Sequence, residues 1–317
     1  MKPSVFQALA EAARQQEPVA LGIIAGVKGS SPQKVGAKAV FYPDGRIVGT
    51  LGGGCLEAEV QKRAISALRT GQPESFDLLL DHDFGWDDGL ICGGKVCGLI
   101  LPGATAVGPD FWRELAGRER RVAWGVRDDH SIQLVEGASH EDTTAWRYRE
   151  VVSPPCALWI AGAGHIAQAV APLALRLDFR VTVFDDRPAM VSHEFFPQET
   201  QLKSETWERM LTEQVPDAPL FGLIVTRGHR HDALVLSRWI RQPFVFLGMI
   251  GSRRKARTIF DHFLEEKLAT EADLAKVQCP VGIAIQSQTV EEIAVSIMAQ
   301  YIEQRAEIVN RTETSLA

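Results

Sequence analysis

The sequence predicts an α/β protein in two parts: an N-terminal mixed α/β domain and a C-terminal Rossmann-like domain on a parallel sheet. Three observations lead there. From residue 156 onward, apolar β-rich runs alternate with amphipathic stretches, the pattern of βαβ units. The first such run, Leu158-Trp159-Ile160-Ala161, feeds Gly162-Ala163-Gly164-His165-Ile166-Ala167, a Gly-x-Gly-x-x-Ala turn that opens a helix. Before residue 156 the pattern is irregular, with short strands, a hairpin signal at Pro43-Asp44-Gly45 and two glycine-rich turns.

In chain order, residues 4–16 predict a helix, with Val5, Leu9 and Ala12-Ala13 on one face and Pro18 ending it. Residues 19–27 predict a strand, and 38–42 and 46–50 a hairpin. A helix follows over 56–68 and closes at Gly71. Strands over 75–80 and 95–101 enclose an acidic, glycine-rich loop. Residues 102–118 predict a connector with one short helix, and 122–126 and 132–135 two further strands. Ser153-Pro154-Pro155 marks a boundary. Strands at 157–161, 180–184, 220–225 and 244–247 then alternate with helices at 165–177, 232–241, 254–266 and 290–305. The expected divisions are 1–102 for the first domain, 103–155 for a connector with short strands, and 156–317 for the Rossmann-like domain.

The chain has 317 residues, enough for two domains, and 45% hydrophobic with 23% charged residues is ordinary for a globular protein. A net charge of −6 speaks against a nucleic-acid binder held by phosphate contacts. No apolar run reaches the length of a membrane span, and the start reads as a polar helix rather than an export signal. The expected location is therefore the cytoplasm. The five cysteines have no Cys-x-x-Cys spacing and read as reduced thiols rather than a disulfide framework.

The most informative stretch runs from Gly29-Ser30-Ser31-Pro32 to Gly52-Gly53-Gly54-Cys55-Leu56-Glu57. The three glycines let backbone approach a bulky ligand without Cβ clashes. The helix they open presents unpaired N–H groups to an anion and favours thiolate at Cys55. A tight turn with a packed thiol is the plainer account. Cys92-Gly93-Gly94 is a second close-approach turn carrying a thiol. With Lys95 it almost spells a P-loop, but Val96 stands where the magnesium-binding hydroxyl belongs, which excludes an NTPase. Asp81-His82-Asp83 and Asp87-Asp88 suit a hard cation, with an exposed acidic loop as the plainer account, and His229-x-His231 lacks the further ligands of a zinc site.

In the second half, Gly162 permits the turn and Gly164 lets backbone reach a pyrophosphate, with His165 opening the helix. Asp185 follows Gly162 by 23 residues and stands where an acid meets a ribose 2′-hydroxyl. Thr226-Arg227-Gly228-His229 and Gly248-Met249-Ile250-Gly251-Ser252-Arg253 each join a strand end to a helix, where ligand crevices lie. Arg227, His229, Ser252 and Arg253 suit a phosphate-bearing ligand, and solvated loop charge is the alternative. An NAD(P)-dependent oxidoreductase thus comes into view, but no tyrosine is followed by lysine four residues on. No nucleophile elbow and no His-Glu-x-x-His motif is present either.

Taken in order, the Gly-Ser-Ser-Pro, Gly-Gly-Gly-Cys-Leu-Glu, Cys-Gly-Gly, Gly-Ala-Gly-His, Thr-Arg-Gly-His and Gly-Met-Ile-Gly-Ser-Arg-Arg-Lys stretches, with the terminal Glu291-Glu292-Ile293-Ala294, resemble the XdhC/CoxF family of xanthine dehydrogenase accessory proteins. The resemblance spans nearly the whole chain. It implies a cytosolic factor that binds molybdenum cofactor (molybdopterin) without being part of the finished enzyme. Such a factor promotes insertion of the cofactor into a xanthine dehydrogenase-type molybdenum hydroxylase, with a cofactor sulfurase as a further partner. Where family members carry an Ile-Gly-Ala-Glu-Thr-Pro-like stretch, this chain reads Ile285-Gln286-Ser287-Gln288-Thr289-Val290. The cofactor-binding set expected on this basis is Ser30, Gly52, Gly53, Gly54, Cys55, Cys92 and Gly93 in the first half. In the second half it is Gly162, Gly164, His165, Asp185, Arg227, His229, Ser252 and Arg253. Cys55 and Cys92 are the expected thiolates toward molybdenum. A homodimer is expected, with no nucleic acid or membrane partner.

Overall fold

Ser4 caps the first helix, α1 (Val5–Gln15): its hydroxyl accepts from the Gln7 N–H while the Gln7 side chain returns to the Ser4 N–H. The computed structural model describes residues 4–80, 94–135, 146–210 and 214–314. Their contacts divide the chain into two units, Met1–Pro154 and Pro155–Ala317.

In the first unit, β1 (Ala20–Lys28), β2 (Lys38–Phe41) and β3 (Ile47–Gly49) lead to α2 (Gly54–Thr70), followed by β4 (Glu74–Leu80) and β5 (Gly94–Leu101). The five strands form one antiparallel sheet in the order β3-β2-β1-β5-β4. Alternation along β1 decides what covers each face. Leu21 and Ile23 join α1 and Trp112, whereas Ala20 and Ile24 join Leu56, Val60 and Ala64 of α2.

The helix α3 (Pro109–Gly117) and the strands β6 (Val122–Arg127), β7 (Ile132–Leu134) and β8 (Trp146–Val152) follow. These strands make a second antiparallel sheet, β7-β6-β8. Trp112, Trp124 and Tyr148 pack into the same core as α1, so α3 and the β7-β6-β8 sheet belong to the first unit. Lys38 stitches the parts together. Its buried ammonium lies 2.7 Å from the Glu150 carboxylate, donates to the Gly36 carbonyl at 2.7 Å, and sits 5.3–5.8 Å from the Phe6, Trp124 and Tyr148 rings.

The second unit comprises β9 (Cys156–Ala161), α4 (His165–Arg176), β10 (Phe179–Asp185), β11 (Gln201–Ser204), α5 (Trp207–Met210), β12 (Leu220–Ile224), α6 (His229–Trp239), β13 (Phe244–Met249), α7 (Arg253–Glu265), α8 (Glu271–Leu274), β14 (Val277–Gln278) and α9 (Val290–Thr314). The sheet is wholly parallel in the order β11-β10-β9-β12-β13-β14. In chain order that is 3-2-1-4-5-6, the Rossmann arrangement, with its switch point between β9 and β12. Both faces are covered. Leu158 and Ile160 meet α4 and α9, while Trp159 and Ala161 meet α6 and α7. Burial on both sides explains why the strands read as continuous apolar runs.

Candidate functional site

The glycine turns of the first unit converge. Gly52, Gly53 and Gly54 have φ of 118°, 73° and 57°, a left-handed run that residues with a Cβ rarely adopt. A Cβ on Gly52 would also lie 2.8 Å from the Pro32 ring. The loop carrying Ser30 and Pro32 therefore packs directly on the Gly52 turn. A Cβ on Gly94 would strike the Ser30 carbonyl, so the first residue of β5 closes on the same loop. Glu57 holds the turn from inside α2. Its carboxylate accepts from Leu51 N and Thr50 Oγ1, each at 2.8 Å, and Thr50 Oγ1 accepts from Gly52 N at 3.0 Å.

Cys55 is the second residue of α2 and is half-buried; Gly53, at the N-cap, supplies no side-chain hydrogen bond to the first turn. The arrangement is a left-handed glycine turn leading into a helix without a side-chain cap, with a half-buried thiol in its first turn. Cys92 and Gly93 lie outside the described residues, as does the acidic loop. Among the described residues, no cluster of three or more His, Cys, Asp or Glu side chains is placed to hold a metal ion. Likewise, no helix among them is long and apolar enough to cross a membrane.

In the second unit the predicted residues gather at the carboxyl ends of β9, β10, β12 and β13. Gly162 has φ of 110°, and a Cβ there would collide with the Val225 carbonyl. The turn after β9 thus rests against the end of β12. His165 and His229 are the exposed first residues of α4 and α6, whose N-caps, Gly164 and Gly228, provide no side-chain hydrogen bond. Arg227 pairs with Asp186 at 2.8 Å. Ser252 is occupied as the N-cap of α7, accepting from Lys255 N at 3.2 Å, and Arg253 is exposed beside it.

Asp185 is 2% exposed. Its carboxylate accepts from Ala163 N inside the glycine turn and from the backbone and guanidinium of Arg187. Burial works to raise its pKa, but the Arg187 fork and the two backbone N–H groups outweigh it and hold the group below the usual carboxylate value.

Sequence reading misses a second buried acid. Asp232, fully buried in the first turn of α6, accepts from Thr226 N at 3.2 Å and Thr226 Oγ1 at 2.6 Å, and pairs with the Lys255 ammonium. Lys255 also donates to the Ile250 carbonyl at 3.2 Å, so one ion pair joins the loops after β12 and β13. Cys279 lies beside this pair, and burial pushes its thiol up to about 11. Cys156, where entry to a central strand leads one to expect burial, is half-buried.

A model of the XdhC and CoxI family matches residues 12–82, and a model of the XdhC Rossmann domain matches residues 158–301. The chain belongs to the XdhC and CoxI family. The first match takes in the Ser30 loop and the Gly52–Cys55 turn; the second takes in all the strand-end residues of the XdhC Rossmann domain named above. The chain is similar to a Bacillus subtilis strain 168 protein named as a probable subunit of xanthine dehydrogenase, with 26% identity over 92% of this chain and 95% of that one. It is 25% identical to the molybdenum cofactor insertion chaperone PaoD of Escherichia coli K12, over 94% of this chain and 86% of PaoD. It is 27% identical to the E. coli K12 protein YqeB, over 95% of this chain and 46% of YqeB. A crystal structure described as a xanthine dehydrogenase from Bacillus halodurans shares the fold, with a TM-score of 0.79, 24% identity and 96% of each chain covered.

Proposed function

We propose that this chain binds molybdenum cofactor and delivers it to a xanthine dehydrogenase-type molybdenum hydroxylase, acting as a maturation factor rather than as part of the finished enzyme. The observation that carries this is the likeness to the insertion chaperone PaoD, which runs through both units rather than through one domain. The first unit's chemistry supports it. The cargo is an anionic, phosphate-bearing pterin with a soft, dithiolene-bound metal. A helix opened by glycines and lacking a side-chain cap presents its positive end to an anion, and a half-buried cysteine in its first turn is a soft ligand type. In this reading Ser30, the Gly52–Gly54 backbone and Cys55 contact the cargo, with Cys92 and Gly93 completing the set. His165, Arg227, His229 and Arg253 supply donors from the second unit, a sulfurase acts on the loaded state, and the working form is a homodimer.

The test is transfer. Full-length protein is loaded with molybdenum cofactor, separated from free cofactor, and mixed with an apo-hydroxylase. Recovery of hydroxylase activity at a rate above that given by free cofactor is expected. No cofactor retained after separation, or no gain over free cofactor, overturns the proposal. Light scattering at micromolar concentration should give the mass of two chains; the mass of one removes the dimer from it.

A further inference from the structure

Asp185 stands where a nicotinamide dinucleotide site needs a free carboxylate. In Rossmann domains of that kind the acid ending the second strand accepts from the adenosine ribose. Here the position is already filled. Oδ2 accepts from Ala163 N at 2.8 Å and from Arg187 Nη2 at 2.8 Å. Oδ1 accepts from Arg187 N at 3.0 Å and from Arg187 Nε at 2.8 Å. A carboxylate offers about four lone-pair sites, so these donors leave none for a ribose. With Asp185 2% exposed and Arg187 34% exposed, the guanidinium is the accessible member of the pair. The neighbouring acid is no substitute, because Asp186 is itself paired with Arg227.

The hydrogen bond to Ala163 gives Asp185 a different task. Gly162 must turn tightly against Val225, and its own N–H donates to the Phe184 carbonyl at 2.7 Å. The next N–H, that of Ala163, is buried and has Asp185 as its acceptor. The carboxylate therefore fixes the glycine turn from within the protein, and the two-pronged Arg187 contact fixes the carboxylate.

We propose that Asp185 and Arg187 form an internal clamp that positions the Gly162–Gly164 turn and bars the ribose diol of nicotinamide dinucleotides from the end of β10. The clamp is a specificity device. The fold and fingerprint of a dinucleotide site are retained, and the one acceptor that recognises the dinucleotide is turned inward. This goes beyond the cofactor-transfer reading, since it concerns what the second unit rejects.

Removing the lock should restore the acceptor. Full-length protein is titrated with NADH, read by nicotinamide fluorescence. Wild-type protein should show no saturation below millimolar NADH. Arg187→Ala should bind NADH at least tenfold more tightly, and adding Asp185→Asn to it should abolish that gain. Arg187→Lys keeps the charge but not the fork, and should give a smaller gain in the same direction; it stands in if Arg187→Ala does not fold. Micromolar NADH binding by wild-type protein that weakens in Asp185→Asn overturns the clamp, as does the absence of any gain in both Arg187 variants. Cofactor retention by wild-type protein is measured in parallel. Its failure strikes the transfer proposal and leaves the NADH result standing.

Discussion

Asp185 and Lys38 are both buried charges, and the chain handles them differently. Asp185 is satisfied by donors within its own strand-end turns, and its pKa is held below the ordinary value near 3.9. A carboxylate shifted this way adds stability that is complete above its unfolded pKa and is lost as pH falls through the folded one. Wild-type protein should therefore lose denaturant stability from about pH 4 downward, and Asp185→Asn should start lower but depend less on pH there. Equal slopes for the two proteins between pH 5 and 3 would remove this carboxylate from the acid response. Lys38 has one carboxylate partner and three aromatic rings, and burial, partly opposed by Glu150, lowers its pKa. Lys38→Met leaves Glu150 without its cation. Breaking a fully buried pair costs about 3–5 kcal/mol. With Glu150 28% exposed, about 2–3 kcal/mol is expected by urea unfolding, partly recovered in Lys38→Met/Glu150→Gln. Residue types and spacing show Asp185 as an acid at a strand end, and that is where it lies. They do not show its saturation, because the decisive donor, Arg187, belongs to no motif; its one signal is its place two residues after the acid.

At the scale of elements, α2 shows how a turn and a helix make one device. The glycine run gives the left-handed path, Pro32 packs against it, and Glu57 ties Thr50 and Leu51 back to the helix. Glu57→Ala removes two hydrogen bonds to a half-buried carboxylate and should cost about 1–2 kcal/mol, and it should lower cofactor retention more than Glu57→Gln does. Thermal melts with retention assays on both variants check this; equal retention in both would mean that the turn holds its shape without Glu57. The turn itself is legible because glycine triplets have few other uses. β8 is not legible, because three charged residues, Arg147, Arg149 and Glu150, interrupt its Trp-Arg-Tyr-Arg-Glu-Val-Val run, and only Tyr148 and Val152 are buried. β14 has two residues and leaves no periodicity to read. α6 starts at His229, three residues before the position expected at Asp232, because its polar first turn looks like loop until its backbone is seen.

On the scale of the whole molecule, the cores are local. Each of the four clusters of buried residues lies within one unit, two in Met1–Pro154 and two in Pro155–Ala317. Separate cores of this kind are expected to melt as separate cooperative transitions rather than one. Trp239, the last residue of α6 and 1% exposed against the sheet face that carries Trp159, provides the marker. Trp239→Ala should cost about 3–5 kcal/mol and lower only the second unit's transition. The same scan then reports on the cargo. A ligand raises the transition of any unit it contacts, by about 2.7 kcal/mol at a free concentration one hundred times its Kd. Because the proposed contacts include the Gly52–Cys55 turn as well as His165, Arg227, His229 and Arg253, cofactor loading should raise both transitions. Cys55→Ser, which keeps the volume but gives up the soft ligand, should retain both unliganded transitions and lose most of the cofactor-induced rise in the first. A rise confined to the second unit in wild-type protein, or a full rise in Cys55→Ser, would take the thiol turn out of cofactor binding and leave it as the packed start of a helix.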